Sequence, residues 1–274
     1  MTFLERMAAA SRARVATARA AESDAALERR ALATPRPPRL VLGRFDVIAE
    51  LKLRSPAAGG LATQDFDRGA QLASYARGGA AAVSVLTEPV EFKGELAHLI
   101  DAAKLLAPLD RPAMRKDFLT DPYQVLEARA AGAGGVLVIV TMLDDATVRA
   151  LVDTARACGL FVLLEAFDRA DLERLAPFDV ANDGGPPVLA GVNCRDLRDL
   201  NVRFERFAEV APYLPRHLPT VAESGIGTAD DIRTVAAAGY RLALIGSSLM
   251  RAADPAVALA DLLAAARAAQ TKGS

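Results

Sequence analysis

The stretch "GVLVIVTMLDDATVRALVDTARACGLFVLLEAF", residues 135–167, decides the fold. Its first six residues form a short apolar run of the kind found in a buried strand. From Asp145 to Cys158 the apolar residues recur at helical spacing, and Gly159 suits the left-handed position that ends a helix. "LFVLLEA" (160–166) is a second apolar run. Strand, helix and strand in this order predict two parallel strands joined by a helical crossover.

The same unit recurs in both directions along the chain. Further strands are expected at "DVIAELK" (46–52), "AAVSVLT" (81–87), "RPAMRK" (111–116), "VLAGVN" (188–193), "TVAES" (220–224) and "RLALIG" (241–246). Helical patterns follow, including "ELAHLIDAAKLL" (95–106), "PYQVLEARAAG" (122–132), "RADLERL" (169–175), "RFERFAEVAPYL" (203–214) and "TADDIRTVAAAG" (228–239). Gly78, Gly79, Gly132 and Gly239 stand where helices should stop, and Asp121 and Thr228 where helices should be capped. Eight strand–helix units in about 230 residues fit a (β/α)8 barrel in count and size. A doubly wound open sheet is the competing fold. The first strand, however, runs into "RSPAAGG" (54–60), which lacks the GxGxxG phosphate fingerprint. Residues 1–44 read as an N-terminal helical extension that ends in a stiff proline connector, "TPRPPRL" (34–40). Residues 45–270 read as the barrel and catalytic domain.

Composition narrows the function. The 274 residues are 52% hydrophobic and 24% charged, with a formal net charge of -1. No clustered cationic excess marks a nucleic-acid footprint. Runs such as "VLVIV" (136–140) are too short to span a bilayer, and the N-terminus has no secretory apolar core. Cys158 and Cys194 have no CxxC spacing, and His98 and His217 stand in no ligand motif. Reduced thiols in a cytoplasmic protein without a metal site are expected. A monomer is compatible with this composition.

Strand parity then points to chemistry. In a barrel strand, alternate residues face the interior and the helix layer. In "DVIAELKLRS" (46–55), Ala49, Leu51 and Leu53 share one face, and Ile48, Glu50, Lys52 and Arg54 share the other. The polar face should point into the barrel mouth. A wet edge strand would show the same alternation, but the pattern recurs. Glu165 ends one strand, Asn193 and Arg195 another, and Glu223 and Ser224 a third. In "AMRKDF" (113–118), Met114 and Lys116 face inward, while Arg115 and Asp117 face the other way. Active sites of this fold assemble at the C-terminal strand ends. Burial and neighbouring cations would lower the pKa of a mouth lysine, and nearby carboxylates would raise it. "ESGIG" (223–227) and "IGSSLM" (245–250), after strands seven and eight, stand where many barrels bind a phosphate through backbone N–H groups.

From Val47 to Pro255 the chain resembles the indole-3-glycerol phosphate synthases. The resemblance rests on "IAELKLRSP", "SVLTEPVEFKG", "RKDFLTDPYQ", "LLEAF", "GVNCRDL", "VAESGI" and "IGSSLM". It implies closure of the indole ring of 1-(o-carboxyphenylamino)-1-deoxyribulose 5-phosphate, releasing carbon dioxide and water, with no cofactor or metal. By resemblance Lys116 is the general acid, Glu165 assists proton transfer, and Glu50 and Lys52 serve dehydration and substrate placement. Ser55, Asn193 and Arg195 would hold the anthranilate end. Phe92, Phe118 and Leu137 would line the aromatic pocket. Lys52, Gly225, Gly246 and Ser247 would hold the phosphate, and Glu223 and Ser224 would complete the polar rim. The chain departs from the family at "SPAAGG" (55–60), where "SPSKG" is common, and at Cys194, where serine is frequent. No residue of the N-terminal segment is carried over. Three alternatives stay open: a phosphoribosylanthranilate isomerase, a Schiff-base lyase or aldolase using Lys116 as nucleophile, and a barrel that only binds a phosphorylated ligand.

Overall fold

The computed structural model describes residues 1–55, 59–60, 66–178, 185–195 and 201–270. Eight parallel strands form a closed barrel. They are β1 (Asp46–Leu51), β2 (Ala82–Leu86), β3 (Ala113–Lys116), β4 (Gly135–Ile139), β5 (Phe161–Ala166), β6 (Val188–Asn193), β7 (Thr220–Glu223) and β8 (Leu242–Ile245). Each strand pairs with its neighbours in chain order. The first and last strands close the ring, from Asp46 beside Leu242 to Ala49 beside Ile245. The expected strands all form, trimmed by a residue or two at their ends. A two-residue antiparallel ladder, Arg54–Ser55 with Gly59–Gly60, stands beyond β1.

Two helices, α1 (Phe3–Ala21) and α2 (Asp24–Ala33), precede the barrel. The outer ring contains α3 (Arg68–Arg77), α4 (Leu96–Leu106), α5 (Pro122–Ala130), α6 (Asp145–Ala157), α7 (Arg169–Glu173), α8 (Arg206–Val210) and α9 (Ala229–Ala237). A short α10 (Ser247–Arg251) separates β8 from α11 (Pro255–Gln270). The pattern at 203–214 is helical only over α8, and a 3-10 turn continues it through Tyr213. Local chemistry explains the helix ends. The Asp121 carboxylate accepts from the Tyr123 amide at the start of α5, and Thr228 forms a capping box with Asp231 at the start of α9. Gly79, Gly132, Gly159 and Gly239 follow their helices with φ between +75° and +97°, whereas Gly78 stays right-handed at φ −72°.

The alternation along each strand builds two apolar layers. Val47, Ala49 and Leu51 of β1 pack outward with Val83, Val136, Val138 and Leu164 against the helices. Ile48 points inward with Ala82, Met114, Leu137, Phe161, Leu163, Leu189, Val221 and Leu242. Each large aliphatic side chain removed from water stabilises the fold by about 1.5–3 kcal/mol. The inner layer is filled by pairing large with absent side chains. A Cβ at Gly135 would overlap the Phe161 ring beside it.

The two leading helices dock on α5. Val15, Leu27 and Tyr123 form a separate apolar cluster there. The Tyr123 hydroxyl donates to the Glu22 carbonyl at 2.9 Å, and Arg129 donates to the carbonyls of Thr34 and Pro35 in the proline connector.

Candidate active site

Above the inner apolar layer, the next inward residues of five strands are polar. Parity puts them there: Glu50 lies two residues beyond Ile48, Lys116 beyond Met114, Glu165 beyond Leu163, Asn193 beyond Gly191, and Glu223 beyond Val221. They line one cavity of about 420 Å³ at the C-terminal ends of the strands. All the candidate residues except Ser55 line it; the Ser55 side chain lies outside the described residues.

The floor is a buried charge cluster. Lys116 Nζ donates to Glu165 Oε2 at 3.3 Å, and Asn193 Nδ2 donates to Glu165 Oε1 at 3.0 Å. Both Glu165 oxygens are therefore aimed. The Asn193 carbonyl oxygen accepts from the Arg195 amide at 2.9 Å, so its amide plane is set as well. Asn193 thus orients Glu165, a role distinct from the ring-end contact implied by resemblance. Lys52 Nζ pairs with Glu50 Oε1 at 2.7 Å.

Burial and charge compete at each group, and geometry decides the outcome. Burial works against the Lys116 ammonium, but Glu165, Glu50 and Glu223 outweigh it and raise its pKa above the ordinary lysine value. Lys116 is therefore a protonated donor at neutral pH. Burial also works against the Glu50 carboxylate, yet Lys52, Lys116 and Arg195 hold its pKa below the usual range. Glu223 goes the other way. Burial and the adjacent Glu165 raise its pKa well above the usual range, and Lys116 offsets only part of this. Its side chain is 1% exposed, and no N–H donor among the described residues reaches either oxygen. Glu223 therefore sits buried on the floor facing Glu165, its carboxyl pushed toward the protonated form, where the resemblance implied the rim. Gly191 makes that placement possible, since a Cβ there would overlap Glu223 Oε1.

One side of the cavity is aromatic. Phe92 and Phe118 lie 6.3 Å apart between ring centroids, and Leu137 closes the side from β4. A third ring, Phe3 of α1, meets Phe118 edge-on at 5.8 Å. Sequence reasoning missed Phe3. An aromatic residue in the first turn of a leading helix carries no strand parity to place it.

The opposite side is backbone. Ser224 and Gly225 both have φ +72°, which turns the loop after β7 toward the cavity. Gly246 precedes α10, whose first turn, with Ser247 and Ser248, faces the cavity. The Ser248 hydroxyl donates to the Ile226 carbonyl at 3.3 Å and ties the two loops together. A Cβ at Gly246 would stand 3.1 Å from Lys52 Nζ. The Lys52 ammonium therefore lies between this loop and the acidic floor. Backbone N–H groups at a helix start beside a cation suit an anion. Arg115, on the outer face of β3, is held by Thr87 and Glu127, as parity predicts. Asp117, just beyond the strand, is held by Thr87 and Arg14 of α1 and also borders the cavity. Among the described residues no cluster of His, Cys, Asp or Glu is arranged to hold a metal ion, and no helix is long and apolar enough to cross a membrane.

Comparisons with known proteins bear on the fold and the family. Two solved barrels share the fold. The 3-hexulose-6-phosphate synthase of Salmonella typhimurium superposes with a TM-score of 0.61 at 12% identity, covering 84% of this chain and 100% of its own. The thiamine phosphate pyrophosphorylase of Pyrococcus furiosus gives 0.57 at 15% identity, covering 82% and 97%. At those identities the likeness concerns fold alone. Sequence relatives say more. The indole-3-glycerol phosphate synthase of a Nocardioides species is 43% identical over 261 residues, 93% of this chain and 95% of its own. That of a Parafrankia species is 42% identical over 270 residues, 97% and 96% respectively. The family model described as indole-3-glycerol phosphate synthase matches residues 4–262. With that match spanning nearly the whole chain, the protein belongs to the indole-3-glycerol phosphate synthase family.

Proposed function

We propose that the protein closes the indole ring of 1-(o-carboxyphenylamino)-1-deoxyribulose 5-phosphate, yielding indole-3-glycerol phosphate, carbon dioxide and water. One observation carries this reading. A buried, protonated Lys116 stands among three carboxyl groups, between an aromatic wall and the glycine- and serine-bearing loops after β7 and β8. That order matches a substrate with an aromatic ring at one end, a carbonyl in the middle and a phosphate at the other.

The residues divide the work accordingly. Phe92, Phe118 and Leu137 flank the aromatic ring, and Arg195 meets its carboxylate. Gly225, Gly246, Ser247 and Lys52 hold the phosphate. Held at both ends, the substrate brings its reacting carbons together, and closure becomes effectively unimolecular. As the ring carbon attacks the carbonyl carbon, the carbonyl oxygen becomes a hydroxyl and needs a proton. Lys116 gives it and is left as a neutral amine, and Glu165, 3.3 Å away, holds the Lys116 nitrogen in place through the transfer. Loss of carbon dioxide restores the aromatic ring. Dehydration then needs an acid at the departing hydroxyl and a base at the ring proton. Glu50, whose pKa is held below the usual range, and Glu223, whose pKa is raised above it, offer a base and an acid within one cavity that Lys52 and Glu165 also line.

The test is direct. Purified protein is mixed with the carboxyphenylamino-deoxyribulose phosphate, and indole fluorescence is followed. A rise proportional to enzyme is expected, and its absence at high enzyme would sink the assignment. Borohydride added with substrate distinguishes the lyase alternative, because only a Lys116 imine would be trapped as a covalent adduct.

A further inference from the structure

The aromatic wall is assembled from three unrelated elements, and one cation reaches the supports of all three. Phe118 follows β3, Phe92 sits in the loop after β2, and Phe3 belongs to α1. Rings on separate loops hold a ligand face only if their backbones are fixed.

Two buried carboxylates fix them. Asp117 Oδ1 accepts from the Phe118 amide at 2.8 Å, and Asp117 Oδ2 accepts from the Thr87 hydroxyl at 2.8 Å. Glu88 is fully buried at the end of β2. Its Oε1 accepts from the Val90 amide at 2.9 Å, and its Oε2 accepts from the Glu91 and Phe92 amides at 2.7 and 3.1 Å. The Glu88 side chain is thus the internal frame of the loop that presents Phe92. Arg115 answers Asp117 from the strand side at 3.3 Å. No strand residue answers Glu88 in this way among the described contacts.

Arg14 supplies the missing charge. It lies on α1, the helix that carries Phe3. Its Nη2 meets Asp117 Oδ1 at 2.6 Å, and its Nη1 lies 3.9 Å from Glu88 Oε1. The guanidinium fork spans the two carboxylates, while the carboxylates hold the amides of two wall residues. The third wall residue shares the helix of the fork itself. A lysine has one compact charge and cannot bridge both acceptors with the same geometry.

We infer that Arg14 is a positioning residue for the aromatic end of the substrate. It sets the spacing of Phe3, Phe92 and Phe118 through Asp117 and Glu88 without touching the ring. The inference rests on the proposed reaction, since it assigns the wall to the substrate's aromatic ring.

Arg14→Met is tested beside Arg19→Met. Arg19 also ties α1 to the barrel, pairing with Asp121 at 2.7 Å, but it reaches neither wall carboxylate. Turnover by the unaltered protein is measured first, and its failure would overturn the reaction and not this inference. With turnover present, Arg14→Met is expected to raise KM roughly tenfold with kcat changed less than about threefold, the signature of lost ground-state binding. Inhibition by anthranilate should weaken in parallel, while inhibition by inorganic phosphate stays unchanged. Arg14→Lys should recover part of the affinity, and Arg19→Met should leave KM alone. If Arg14→Met leaves KM and anthranilate inhibition unchanged, or if Arg19→Met raises KM equally, Arg14 only fastens a helix and the inference fails.

Discussion

The lower and upper halves of the barrel interior use the same strands and the same parity, yet they have opposite chemistry. Below lie Ile48, Met114, Leu163 and Val221; two residues further along each strand stand Glu50, Lys116, Glu165 and Glu223. The lower half stabilises the fold by removing apolar surface from water. The upper half buries four ionisable groups at the same radius, which costs stability unless each is paired. Pairing is incomplete: neither Glu223 oxygen has a hydrogen-bond partner among the described residues, and burial with the adjacent Glu165 raises its pKa well above the usual range. A stretch of protein interior that works against folding is accounted for by what it does to a ligand.

Substitutions in the two halves should therefore separate activity from stability. Lys116→Met in the upper half should lower kcat by roughly 10³-fold, within the range for a lost general acid. KM should move far less. A kcat within a few fold of normal would remove Lys116 from the proton transfers. Leu189→Ala in the lower half should cost about 2–5 kcal/mol in chemical denaturation, the range for a buried leucine truncation. The folded fraction should keep its KM. If activity per folded molecule also collapses, the halves are not independent.

Glu223→Gln tests the boundary between them. The folded-state pKa of Glu223 lies above its unfolded value, so the folded state binds its proton more tightly. The stability tied to that proton is complete below the ordinary carboxylate range and is lost as pH rises toward the raised value. Glutamine carries no such proton. The melting temperature of Glu223→Gln relative to the unaltered protein should thus climb with pH through that window. A constant difference would mean that folding does not raise the Glu223 pKa.

The same contrast explains what was legible in the sequence. Period-two patterning and helix-stop glycines were enough for the eight strands and their order, because both are local. Parity on β1 and β3 was enough to separate Glu50 and Lys116 from Arg115; Asp117, past the strand end, borders the cavity after all. The charge states were not legible. Burial and carboxylates pull the Lys116 pKa in opposite directions, and only the closure that brings Glu50, Glu165 and Glu223 around it settles the sign. Glu223 looked like a rim residue because its distance from Glu165 depends on Gly191, on the neighbouring strand. Phe3 and Glu88 were invisible for a similar reason. Their partners lie across loops and helices, where no period applies.

Barrel closure has a kinetic consequence. β1 and β8 are separated by almost the whole length of the barrel, so their pairing bears a large loop-closure entropy and belongs late in folding. Until it forms, β1 and β8 alone have open edges, and Glu50 and Lys52 are detached from the Gly246 loop they face. A chain with seven strand pairings in place has most of its secondary structure and no complete site. Regain of turnover during refolding therefore clocks the last seam of the barrel, whereas circular dichroism clocks the strands and helices that precede it.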